Sequence, residues 1–96
     1  MDVRKGDVVR SLAGHDKGAL YCVVDIDGGF LLLADGKERK LNTPKRKRCK
    51  HARRAGMSDH PVFLRLRAGE PVGDSEVRRA LAAFRDERNQ QQSRRE

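Results

Sequence analysis

The sequence predicts a mainly β fold: a small, curled antiparallel sheet or barrel, followed by one short helix and a polar tail. Three observations predict it. Short runs rich in β-branched and aromatic residues are bounded by glycine. Asp-Gly pairs at residues 27–28 and 35–36 supply turn chemistry between those runs. Helical spacing of apolar residues appears only after Asp74.

The elements follow in order. "DVVRSL" places Val8, Val9 and Leu12 among polar residues as a first strand. "AGHDKG" is a turn by composition, since Gly14 and Gly18 accept positive φ. "ALYCVVDI" is a second strand, "DGG" at 27–29 a hairpin turn, and "FLLLA" a third strand. "DGK" at 35–37 repeats the hairpin chemistry, and "ERKLN" is expected to return as a short edge strand. Pro44 breaks the chain before "KRKRCKHARR", where seven of ten residues from Lys45 to Arg54 are Lys or Arg. Cys49 is the best apolar candidate in that run. It points to one more short strand, with the cysteine inward and the Lys and Arg side chains outward. Residues 55–73 read as loop, with "VFLRLR" as a possible strand. Asp74 or Ser75 is the expected N-cap of a helix over 74–86, with Val77, Ala80, Leu81 and Phe84 on one face and Glu76 in the first turn. Residues 87–96 carry no apolar side chain and read as a fraying helical end or a disordered tail. The organisation is thus 1–54, 55–73, 74–86 and 87–96.

Composition narrows the function classes. A chain of 96 residues is one small domain, and 36% hydrophobic content makes a thin core. The balance of 22 basic against 14 acidic residues gives +8, a field that attracts polyanions, nucleic acid first and anionic membrane second. The N-terminal stretch has no apolar signal region, and no apolar run is long enough to span a bilayer. The two cysteines, Cys22 and Cys49, are then expected as reduced thiols in a cytoplasmic protein. Cys49 and His51 lack the spacing of a zinc pair, and no second tight pair joins them. No nucleophile stands with a base at sensible spacing, and no Gly-Lys-Ser/Thr phosphate loop is present. The expectation is a binding protein without cofactor or metal, and not an enzyme.

The order Gly-Asp, Val-Val, a glycine loop ending in Lys-Gly, and then a β run resembles the KOW motif of ribosomal proteins and transcription elongation factors. Gly6, Asp7, Val8, Gly14, Lys17 and Gly18 carry the match. The continuation "LLLADGKERKLNTPKRKRCKHARR" is similar to large-subunit ribosomal proteins of the L-fourteen-e type, in which a strand, an Asp-Gly turn and a Lys-rich segment follow in this order. The resemblance covers residues 3–54. It implies an SH3-like β-barrel and RNA contact by the loop between the first two strands together with nearby cations.

The physics of the residues runs in parallel. A glycine turn lets backbone N–H groups approach phosphate. Phosphate contacts supply affinity and little sequence information. With 4% aromatics, and Tyr21 and Phe30 placed where a core needs them, stacking of single-stranded bases is not expected. The candidate RNA-binding residues are Lys5, Arg10, Gly14, His15, Lys17, Gly18, Lys45, Arg46, Lys47, Arg48, Lys50, His51, Arg53 and Arg54. The expected partner is structured RNA, ribosomal RNA above all. A ribosomal protein could contact the C-terminal helix, no membrane is involved, and the protein is a monomer. The competing readings are a solvated charged run or nuclear address signal, and a KOW-type protein-interaction module of the transcription or translation machinery.

Overall fold

A computed structural model describes residues 3–56 and 58–94, with side chains as far as Arg88. The chain is mainly β, built on a five-stranded antiparallel sheet with two helices. The strands are β1 (Val8–Ser11), β2 (Leu20–Asp27), β3 (Phe30–Ala34), β4 (Lys45–Arg48) and β5 (Ala52–Gly56). The helices are α1 (Pro61–Arg67) and α2 (Asp74–Arg94). Arg95 and Glu96, the end of the predicted tail, lie outside the described residues.

The strand order is β4-β3-β2-β1-β5. The two edge strands are neighbours in the chain, joined only by a 3-10 turn at Cys49–His51. Three residues connect opposite edges only when the sheet curls strongly on itself. The first hairpin is as tight as its sequence: Asp27 pairs with Phe30 across Gly28 and Gly29.

Strand alternation sorts the apolar residues into two cores. Val8, Leu20, Cys22 and Ala34 face the helices and pack with Phe63, Leu66, Val77, Leu81 and Phe84. Val9, Tyr21, Val23, Leu31, Leu33 and Ala52 fill the other side, within the curl.

Four expectations are corrected. Helix α2 runs to Arg94 and not to residue 86, so 87–94 continue the helix rather than form a disordered tail. "VFLRLR" is helix α1, not a strand: Val62, Phe63 and Leu66 are the buried residues, a helical spacing, and their apparent alternation is incidental. Its start is set by His60, whose Nδ1 accepts from the Val62 N–H at 3.2 Å, with Pro61 at the first helical position. Its end is a Schellman closure, with Gly69 N–H donating to Leu66 O at 3.1 Å and Glu70 N–H to Arg65 O at 2.9 Å. "ERKLN" is not a strand either. The Asp35 carboxylate accepts from the N–H groups of Lys37 and Arg39, which curls the segment, and Leu41 N–H donates to Asp74 Oδ1 at 2.8 Å. Neither Asp74 nor Ser75 caps α2. Gly73 does so: its C=O accepts from Val77 N–H, and Glu76 reaches back to its N–H at 3.1 Å, half of a capping box.

Candidate nucleic-acid interface

The basic run folds into β4, the turn and β5, so its charges are distributed by the pleat. Lys47 pairs with Leu31 and Lys45 with Leu33, both core leucines, which places the two lysines on the inner face. Arg46 and Arg48 face outward, with their guanidiniums 4.1 and 5.2 Å from the centre of the Phe30 ring. Phe30 is half-buried and serves as a platform under two arginines, rather than as the core residue expected.

The inner lysines are matched by Asp16, from the middle of the glycine loop. Lys45 Nζ donates to Asp16 Oδ2 at 2.6 Å, and Lys47 Nζ to Oδ1 at 3.0 Å and to Ala13 O at 2.9 Å. Ser11 Oγ and Tyr21 Oη add hydrogen bonds to the same carboxylate at 2.8 and 3.0 Å. Desolvation pushes the Asp16 pKa up, but four donors, two of them ammonium groups, hold it well below the usual carboxylate range. The Tyr21 phenol is pushed up to about 12 by desolvation and then by the adjacent Asp16 carboxylate. The side chain of Lys47 is 9% exposed. The inward position expected for Cys49 is therefore held by Lys47. A lysine can occupy it because its stem crosses apolar surface and its ammonium meets a carboxylate. Cys49 sits half-buried in the 3-10 turn, at the margin of the inner core.

Asp16 ties the loop to β4 and leaves the loop's other groups outside. Gly14 and Gly18 take φ of 88° and 91°, the left-handed geometry that favours glycine. His15 and Lys17 between them are exposed. Arg10 is exposed on β1 and donates to Gly18 O at 2.7 Å, fastening the end of the loop.

On β5, Arg53 is exposed and stands directly opposite Arg10. Arg54 is half-buried and pairs with Asp7 at 3.2 Å, while Arg67 of α1 takes the other Asp7 oxygen at 3.1 Å. Asp7, a residue of the motif-like start, thus joins β5 to α1. Lys5 is half-buried, and its carbonyl accepts from Arg67 Nε. Lys50 is exposed in the turn; His51 is half-buried, and its carbonyl accepts from Leu12 N–H.

Of the predicted set, Arg10, His15, Lys17, Arg46, Arg48, Lys50 and Arg53 lie exposed around the curled sheet. Lys45, Lys47 and Arg54 are engaged by carboxylates of the chain itself. Two contributors escaped the sequence reading. Asp16 neutralises the two lysines that the strand register turns inward. Arg88, one turn beyond Phe84 on α2, lies beside Arg10, Arg53 and Arg54. Its spacing of four from a core phenylalanine was the available signal.

Cys22 is fully buried, and desolvation raises its thiol to about 12. Among the described residues, no group of three His, Cys, Asp or Glu side chains is placed to hold a metal ion. None of the described helices is long and apolar enough to cross a membrane. Compared with known proteins, the chain matches no family model and no curated protein.

Proposed function

We propose that this protein binds structured RNA, in association with the ribosome, by phosphate contacts from a small SH3-like barrel of the KOW type. The observation that carries the reading is the separation of charges. The carboxylates nearest the basic run, Asp7 and Asp16, are 10% and 12% exposed and engaged with Lys45, Lys47, Arg54 and Arg67. The outward cations Arg46, Arg48, Lys50 and Arg53 and the loop cation Lys17 are left as an excess of positive charge on the surface. Only Arg46 among them has an ion-pair partner among the described residues, the exposed Asp27 at 3.4 Å. Such a surface grips phosphate and reads little sequence.

A protein-interaction role draws less support. Val77, Ala80, Leu81 and Phe84 of α2 are buried in the core against the sheet, and the large apolar side chain that α1 exposes, Leu64, stands alone, which is ordinary for a protein surface.

Fluorescence anisotropy with a duplex-containing RNA hairpin tests the proposal. Affinity should fall steeply and log-linearly with salt. The triple variant Arg46→Gln, Arg48→Gln, Lys50→Gln should weaken binding and flatten the slope by about 2 to 3. Salt-independent affinity, or an unchanged slope in the variant, would overturn it.

A further inference from the structure

Arg10 and Arg53 stand directly opposite each other on adjacent antiparallel strands. Like charges in that relation repel, and a sheet gains nothing from the pairing on its own. Their neighbourhood gives the pairing a use. Arg10, Leu12, Arg53, Arg54, Ala55 and Arg88 line an open groove of about 270 Å³ where the β1–β5 pair meets α2. Four of these six residues are arginines and none is acidic.

Two of the four guanidiniums are held from behind. Arg54 is fixed by Asp7 at 3.2 Å, and Arg10 by the Gly18 carbonyl at 2.7 Å. Arg10 keeps further N–H donors, since a guanidinium carries five. Arg88 and Phe84 pack closely over Gly56 at the end of β5: a Cβ there would lie 3.3 Å from Arg88 Nη1 and 3.2 Å from the Phe84 ring. Leu12, 44% exposed, supplies an apolar wall, and low-dielectric walls sharpen the field of the arginines.

We infer that this groove is a phosphate-binding site for the RNA backbone, shared by β1, β5 and α2 and distinct from the outer face of β4. A phosphate seated between Arg10 and Arg53 turns their repulsion into a bridge, and planar guanidinium forks suit its oxygens. The volume admits the group with part of its hydration, each water needing about 30 Å³. The inference rests on the RNA-binding reading and adds the helix to the interface.

The test is the same RNA hairpin with the double variant Arg53→Gln, Arg88→Gln. Both side chains are exposed, so the thermal midpoint should hold. The salt slope should fall by about 2, and affinity at moderate salt by about tenfold. Arg53→Lys, Arg88→Lys should recover the slope but only part of the affinity, because the forks are lost. In the wild-type protein, the side-chain Nε–H resonances of Arg53 and Arg88 should shift on RNA addition, a readout that needs no variant. A steep wild-type slope with an unchanged double variant and unmoved resonances would overturn the groove and leave RNA binding standing. A salt-insensitive wild type would remove both.

Discussion

Strand β4 carries four consecutive cations, and its two faces do opposite work. On the inner face Lys45 and Lys47 meet one carboxylate, Asp16, and pin the glycine loop to the sheet. On the outer face Arg46 and Arg48 lie over Phe30 and look into solvent. The residue types suit the division. A lysine delivers a compact charge through an apolar layer on a thin stem, whereas an arginine stacks flat on a ring and keeps its edge free for an anion. A run of basic residues is therefore not yet a basic surface. Every second charge in a strand belongs to the interior if a carboxylate awaits it there.

The sharpest way to break this comparison is to remove Asp16. Asp16→Ala leaves the Lys47 ammonium nearly enclosed, with the Ala13 carbonyl as its one remaining hydrogen-bond partner among the described residues. Breaking an enclosed ion pair from one side costs about 3 kcal/mol. Urea unfolding at neutral pH should show a loss of that order, and a loss below about 0.5 kcal/mol would put the inner lysines on a par with surface charges. Acid should act in the same direction. The folded pKa of Asp16 is depressed, so its contribution is complete above the ordinary value of 3.8 and is lost as pH falls below it. The acid sensitivity of the wild type should exceed that of Asp16→Asn.

The next effect is spectroscopic and smaller. Tyr21 is the only tyrosine, and the chain has no tryptophan, so its phenolate absorbance reports this site alone. Burial and the Asp16 carboxylate place its ionisation at about 12. Asp16→Asn should lower the midpoint toward the ordinary 10 while burial keeps it above that value. The sign for stability is that the neutral phenol favours the fold, so its contribution holds below 10 and is lost as pH rises through the folded value. A wild-type midpoint near 10 would remove the Tyr21–Asp16 bond from the inner face.

The sheet was legible because its signals are local. Glycine-bounded β runs and the "DGG" turn place β1 to β3 without knowledge of anything distant. The helical face of Val77, Ala80, Leu81 and Phe84 is equally local, and all four are buried. What escaped depends on partners far along the chain. The neutralisation of Lys45 and Lys47 on the inner face rests on Asp16, 29 residues before Lys45. The segment 38–42 looked like a returning strand, but Leu41 N–H goes to Asp74, 33 residues on. Helix α1 is a different case. Its signals, Pro61 at the start and Gly69 at the end, stand in the sequence, but the alternating look of "VFLRLR" outweighed them. The candidate site was half legible. Residue type identifies cations, and only the fold shows which of them the chain neutralises itself.

The outer face offers the smallest and most discriminating perturbation. Arg46 and Asp27 are 3.4 Å apart with side chains 56% and 64% exposed, a geometry in which an ion pair contributes little to folding. Asp27→Asn should change stability by less than about 0.5 kcal/mol, and added salt should erase the difference. The same substitution removes a negative charge from beside Arg46 and releases its guanidinium toward phosphate. RNA affinity at low salt should then rise by about twofold. On the proposed RNA-binding reading, a carboxylate lost on the inner face should weaken the fold, while one lost on the outer face should strengthen binding. If Asp27→Asn instead destabilises the protein by more than about 1 kcal/mol, the outer arginines are structural as well, and the two faces of β4 differ in exposure but not in role.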